Sequence, residues 1–482
     1  MKRNCLKPML VAVGSMLLGA CAMGPDYQRP AMQTPAAFKE TLDWKIATPK
    51  DELPRGQWWS AFGDRELDAL IEQVSVSNQS LKVSEARYRQ AQALMQSARS
   101  AYLPTVSANV SATRSRAASA RSAGSNDAVT NYNLTANAGW ELDLWGRIRR
   151  TVESNDASAQ ASAADLEAAR LSLQAELANS YFQLRVNDAQ KQLFVDTITA
   201  YQKSLELTKN RYAVGVAGKV DVVQAEAQLF SAQAQAIDLG VQRAQLEHAI
   251  AVLIGKTPAD FSLRTIEASG GTSVDWKVAM PVVPVGLPST LLERRPDIAA
   301  AERRAASANA QIGVAKAAYF PSLSLSASGG FTSPTLSNWI SAPNRFWSLG
   351  PSLAETLFDF GKRAALSDQA VASYDQNVAT YRQTVLEAFQ DVEDNVATLR
   401  ILEQEAKVQT EAVRAARESV TLTINQYKAG TVSYLSVVTV QTALLSNERT
   451  EVGLLGRRLG ATVGLIRALG GGWSAADLVA AK

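Results

Sequence analysis

Histidine occurs once in the 482 residues, as His248, and cysteine twice, as Cys5 and Cys21. A His/Cys metal site needs three or four such ligands held together, which this composition does not supply. His248 lies in a helical pattern and reads as a satisfied structural histidine. Cys5 falls in a segment expected to be removed, which leaves Cys21 alone and makes an intrachain disulfide impossible. No P-loop, dinucleotide fingerprint or nucleophile elbow is present, so neither an enzyme nor a cofactor is expected. Charge is balanced at 49 basic against 46 acidic residues. Without Lys2, Arg3 and Lys7 of the leader the counts are equal, and nothing argues for nucleic acid. Long hydrophobic runs are also missing. Beyond the leader none approaches the ~20 apolar residues of a membrane-spanning helix, so any crossing of a bilayer must be made by strands.

The leader itself is basic from Met1 to Lys7, apolar from Met9 to Leu18, and too short to span. It ends in Leu18-Gly19-Ala20-Cys21, which resembles a bacterial lipoprotein box. Residues 1–20 are therefore read as a signal peptide, and Cys21 as the lipidated first residue of the mature chain. Residues 21–63 form an arm punctuated by Pro25, Pro30, Pro35, Pro49 and Pro54 and closed by Trp58-Trp59.

Two very long stretches then stand out. Arg147 to Val214 and Lys362 to Ala429 hold neither glycine nor proline, and 69 positions separate Gly146 from Gly215 and Gly361 from Gly430 alike. A helix of about 68 residues is roughly 100 Å long. Leu166, Leu173, Leu177 and Leu184, and then Phe194, Ile198, Tyr201, Leu205 and Tyr212, fall within each run at steps of 7, 4 and 3, as in a coiled-coil seam. A return helix follows each turn, Val220 to Leu253 and Tyr434 to Leu469. Shorter helical patterns precede, at Asp64 to Ser100 and Leu291 to Ala317.

Between helices lie alternating segments, the mark of half-buried strands. Val106, Ala108, Val110 and Ala112 alternate with Ser, Asn and Thr. So do Tyr132, Leu134, Ala136, Ala138 and Trp140. Leu323, Leu325 and Ala327 alternate with serines, as do Trp347, Leu349, Pro351 and Leu353. The order of elements repeats: Tyr102-Leu-Pro104 with Tyr319-Phe-Pro321 at an offset of 217, and Trp145-Gly146 with Phe360-Gly361 at an offset of 215. The chain is a tandem duplication, 64–257 and 289–470, joined by a Pro/Gly-rich connection at 258–288 and ending in a tail at 471–482.

Each half offers two strands, and four strands cannot close a barrel. If they span a membrane, several chains must share one barrel, and three chains supply twelve strands. The competing possibility is a soluble antiparallel sheet covered by helices. The helices add up similarly. Two short ones stacked match one long one, so each chain offers four tracks to a helical tube.

The Leu18–Cys21 box, Gly24-Pro25-Asp26-Tyr27, Arg294-Arg295-Pro296-Asp297-Ile298, the Tyr-x-x-Gly turns at Tyr212 and Tyr427, and the duplication together resemble the TolC-like outer-membrane factor family, in the lipoprotein branch that serves resistance-nodulation-division efflux pumps. The resemblance covers nearly the whole mature chain. It implies a mainly helical fold with β structure: a homotrimer with a twelve-strand barrel in the outer membrane and a twelve-helix periplasmic tunnel. It also implies a periplasmic adaptor and an inner-membrane pump as partners, and a passive duct for small toxic compounds. Ala22 is not the Asp that retains many lipoproteins in the inner membrane. Leu435 matches an apolar constriction residue of relatives, while Thr439 and Thr442 stand where close relatives place an acidic and a basic residue. Gly215, Gly218 and Gly430 are expected to make tight turns and to present a surface to the adaptor; the plain alternative is that they cap helices. Two other readings stay open on the residues alone: a duct for protein or metal-ion export, and a lipid-anchored coiled-coil scaffold in the periplasm.

Overall fold

The computed structural model describes residues 22–41, 57–116, 128–265, 278–281, 283 and 288–475. Cys21, the whole of the leader and the core of the 115–130 loop lie outside the described residues. In chain order the elements are α1 (Arg65–Ser77), α2 (Gln79–Ser100), β1 (Thr105–Ser115), β2 (Val129–Leu142), α3 (Arg147–Ala213), α4 (Lys219–Leu253), the short α5 (Leu291–Arg294), α6 (Pro296–Ala317), β3 (Ser322–Ser333), β4 (Arg345–Ala354), α7 (Lys362–Ala429) and α8 (Tyr434–Ala468). The long helices run 67 and 68 residues without a break. Among the described residues no helix is long and apolar enough to cross a membrane.

Two expected helices are each divided. The Asp64–Ser100 pattern breaks at Asn78, which has extended backbone between α1 and α2. Its N–H still bonds Val74 O, its Oδ1 accepts from Leu81 N–H at 2.9 Å, and its Nδ2 donates to Leu253 O at 2.7 Å. One asparagine thus ends α1, caps α2 and ties both to the end of α4. The Leu291–Ala317 pattern breaks at Arg295 because Pro296 has no N–H and disfavours helical backbone before it. The Arg295 guanidinium bonds Asp297 at 2.7 Å and Asp391 of α7 at 3.1 Å, so the Arg-Arg-Pro-Asp-Ile run is a structural joint.

The chain divides into two compact units that cut across the duplication: Met1–Ala31, Arg87–Ser162 and Ala300–Arg382, and Met32–Ala86, Ala163–Ala299 and Gln383–Lys482. The first unit holds one antiparallel sheet in the order β1-β2-β3-β4. Register gives it two unlike faces. Val106, Ala138, Ala327 and Leu349 lie in one row, and Ser107, Asn137, Ser328 and Ser348 in the row behind. The apolar side chains of the edge strands, Val106, Val110, Trp347 and Leu349, are exposed. Below the sheet Trp145 stacks on Phe320 at 4.7 Å and donates to Pro321 O at 2.8 Å. The arm packs here too. Met23 N–H bonds Trp145 O, and Gly24 lies so close to Gly313 that a Cβ would sit 2.5 Å from its Cα. Arg150, its side chain buried, bonds Asp26 and Glu153, each at 2.8 Å. Tyr27 donates to Glu302 Oε1 at 2.6 Å, and burial followed by the Glu302 carboxylate pushes its phenol well above the ordinary value.

The second unit carries the main core, where Trp58, Phe62, Leu67, Ile71, Leu177, Tyr181 and Phe182 are buried together. Asp64 caps α1 by accepting from Glu66 and Leu67 N–H, and its other oxygen takes the Tyr181 hydroxyl at 2.7 Å. Arg185 bonds Glu66, Asp188 and the Arg264 carbonyl from a buried position. The lower hairpins, α3–α4 and α7–α8, share a second cluster of Phe194, Tyr201, Leu205, Leu229, Tyr427, Tyr434 and Val437. The expected seam is therefore present as far as Leu205. Tyr212 lies outside it and is exposed.

Candidate functional site

The two hairpin turns are the candidate site. In both, the helix ends with glycine in the left-handed region, Gly215 at φ 75 and Gly430 at φ 78. Gly215 N–H bonds Tyr212 O and Val216 N–H bonds Arg211 O; Gly430 N–H bonds Tyr427 O and Thr431 N–H bonds Gln426 O. Each is a Schellman cap, and Tyr-x-x-Gly is the spacing of its inner bond. Gly218 differs. At φ −80 and ψ 157 it stands before α4 in ordinary extended backbone, so the expectation that it supplies a tight turn is corrected: any residue adopts that conformation.

The turns resemble each other in sequence and differ in surroundings. Tyr212 is 48% exposed and Tyr427 is 3% exposed. The difference comes from Arg211, in the last turn of α3. Its guanidinium lies 4.7 Å from the centre of the Tyr427 ring and donates to Lys428 O at 2.9 Å. Tyr427 meets Tyr434 edge to face at 5.5 Å. Burial pushes the Tyr434 phenol above its ordinary value, and the neighbouring Tyr427, Tyr201 and Asp221 add to this. Arg211 thus clasps the second turn to the first.

On α8 the first turn has two sides. Tyr434, Val437 and Gln441 are buried. Leu435, Thr439 and Thr442 face the other way and are exposed, Leu435 by 57%. Their spacing of four and three makes one stripe along the helix. No charge lies in it, so no ionic latch forms between Thr439 and Thr442; the Thr439 hydroxyl bonds Leu435 O within the helix. Above the turns a cavity of about 370 Å³ is lined by Tyr201, Leu207, Ile424, Gln441 and Leu445 among others. Gln441 donates to Ser204 Oγ at 3.1 Å and accepts from Gln228 Nε2 at 3.4 Å. Arg211 and Gln441 escaped the sequence reading. A glutamine at a seam position was the one available signal; for Arg211 there was none.

His248 stands on an exposed face of α4 and is not packed as expected. Among the described residues no three His, Cys, Asp or Glu side chains come together to hold a metal. The turns offer caps, aromatic packing and an exposed apolar residue, and the ion pair beside the first of them, Lys209 with Glu226 at 2.9 Å, ties α3 to α4.

A duplicated chain with a two-faced sheet and paired long hairpins defines a class of outer-membrane channels built from a repeated strand–hairpin unit. The sequence profile of the outer membrane efflux proteins matches residues 70–256 and 287–471, and the chain belongs to that family. The probable efflux pump outer membrane protein TtgC of Pseudomonas putida is 32% identical over 467 residues, 96% of this chain and 95% of its own length. The pyoverdine export outer membrane protein OpmQ of Pseudomonas aeruginosa is 31% identical over 474 residues, 97% of each chain. The solved outer-membrane channel OprN is 31% identical and superposes with a TM-score of 0.86 over 94% of this chain and 100% of its own.

Proposed function

We propose that this chain is the outer-membrane exit duct of a tripartite efflux pump, that three copies share one barrel and tunnel, and that it does no chemistry on its cargo. The sheet carries this reading. One face is apolar and exposed along its edge strands, the other is mainly Ser, Asn and Thr, and among the described residues neither edge strand has a partner on its outer side. Lipid accepts the first face and water the second, but lipid cannot satisfy the backbone of open edges, so closure must come from other copies. A coiled-coil scaffold has no use for such a sheet. TtgC is named for an efflux pump and OpmQ for pyoverdine export, which supports efflux of small organic compounds here; an adaptor and an inner-membrane pump complete the path in this reading. Cargo choice is left to the pump, since the polar face is mostly Ser, Asn and Thr and its one acid at the foot, Glu141, is paired with Arg147.

The test is the native mass of detergent-extracted protein, corrected for bound detergent. Three chains are expected, and deletion of the gene is expected to sensitise cells to amphipathic toxicants. A stable monomer overturns the shared duct.

Two sites belong to the same reading. Cys21 carries the lipid: Ala22 and Met23, directly after it, pack against Gly146 and Trp145 at the foot of the sheet, where an anchor meets the membrane surface. Labelled palmitate is expected in the wild type and absent in Cys21→Ser. Leu435 narrows the closed tunnel, and Gly215 and Gly430 shape the surface offered to the adaptor. Gly218 contributes position there without a special backbone.

A further inference from the structure

At the foot of the apolar face, on its β1–β2 side, two aromatic residues and two arginines stand together. Trp140 continues the apolar row of β2, and its indole N–H donates to Tyr102 O, just before β1, at 3.0 Å. Both side chains are exposed. Arg99, in the last turn of α2, and Arg149, in the first turn of α3, are exposed as well. Burial and then Asp143 raise the Tyr102 phenol, Arg149 and Arg99 lower it, and Glu153 raises it, so both guanidinium groups act at this ring.

The carboxylates nearby are engaged elsewhere. Asp143 gives its two oxygens to the N–H groups of Ile148 and Arg149, at 2.9 and 2.8 Å. Glu153 bonds Arg150 at 2.8 Å. Asp156 meets Arg99 only at 3.4 Å and accepts from Gln160 at 2.7 Å through its other oxygen. Arg149 forms no ion pair among the described residues. The duplicated position is built differently. There Arg363 lies 5.4 Å from the centre of the Tyr319 ring, and its largely buried side chain bonds Asp359 at 2.6 Å. One half thus satisfies its arginine within the chain, and the other leaves two guanidinium groups beside an aromatic pair.

We propose that Arg99 and Arg149 hold the phosphate of an anionic phospholipid, in the leaflet nearest the helices, with its acyl chains along the apolar row that Val106 and Ala138 begin. This rests on the reading of that row as the lipid-facing side of the sheet, and adds a headgroup site to it. Guanidinium forks match phosphate oxygens. Tyrosine and tryptophan rings settle at headgroup level, and cations beside a bilayer draw anionic lipid. A free phosphate ion would use the arginines alone. A lipid also uses the aromatic pair and the exposed apolar row directly above them.

Native mass spectrometry of the full chain, extracted from outer membranes in mild detergent, tests the site. With phosphatidylglycerol added, the three-chain assembly is expected to retain lipid that it does not retain from phosphatidylethanolamine at equal concentration. Arg149→Gln is expected to weaken retention about fivefold, and Arg99→Gln with Arg149→Gln about thirtyfold, from the loss of one and two cations beside an anionic headgroup. Arg345→Gln, at the other end of the sheet, is expected to change nothing, and excess inorganic phosphate is expected not to displace the lipid. Equal retention of the two lipids, retention unmoved by either arginine variant, or displacement by phosphate overturns the site and leaves the shared duct standing. A one-chain mass overturns the duct, and with it the lipid face on which the site rests.

Discussion

Leu435 shows what a single position can and cannot reveal. Its neighbour Tyr434 is buried and Leu435 is exposed, though both are large and adjacent. Helical periodicity assigns Tyr434 to the seam and leaves Leu435 over, and only the family resemblance gives it a task. The stripe of Leu435, Thr439 and Thr442 is apolar and hydroxyl-bearing, so its closing force in the proposed tunnel is packing without charge. Leu435→Ala removes about three heavy atoms from each of the three side chains in the ring. Single-channel conductance in a planar bilayer is expected to rise, and the rise to be insensitive to salt-induced screening; unchanged conductance removes Leu435 from the constriction. Tyr212 and Tyr427 teach the complementary lesson. Equal motifs predict equal burial, and Arg211, distant from Tyr427 in sequence, makes them unequal. A contact across 216 positions leaves no local trace.

At the scale of elements most of the chain was legible. Long helices without glycine or proline, strands with period two and the repeat itself are local patterns, and their ends fall within a few residues of expectation. The breaks at Asn78 and Arg295 were not foreseen. Asparagine is tolerated inside helices, and what ends α1 is a bond to Leu253 O, supplied by α4 from far along the chain. Pro296 was a visible signal that the helical pattern overrode. The turns make the sharpest prediction here. Gly430→Ala forces a Cβ into left-handed backbone at a cost of about 1 kcal/mol, while Gly218→Ser, in extended backbone at the N-cap of α4, should cost nothing measurable. Melting temperature and crosslinking to the adaptor are expected to fall for substitution at Gly430, more steeply with a bulky residue, with the trimer retained. Gly218→Ser is expected to match wild type in both. If the two behave alike, the caps are irrelevant to docking.

For the whole molecule, the decisive property is the difference between the faces of the sheet. A lysine at mid-membrane on a lipid-facing position costs about 2–4 kcal/mol. Leu349→Lys is therefore expected to lower the amount of assembled protein in outer membranes. Ser348→Lys, one residue away and facing the other side, should assemble normally and shift the channel's ion selectivity toward anions. Equal tolerance of both would mean that the faces are assigned wrongly. The twelve-strand closure was legible only as arithmetic, since the sequence counts strands per chain and says nothing of how many chains meet.

That sheet also constrains how the protein reaches its destination. A protomer travelling alone carries unsatisfied backbone along β1 and β4 and a greasy plane beside it, the combination that recruits any stray strand. It must be escorted or kept unfolded until insertion, and folding of the strands becomes the last event of biogenesis. Supply that outruns insertion is then expected to end as precipitate, which makes the escort capacity of the cell, and not the rate of synthesis, the limit on how many ducts it can build.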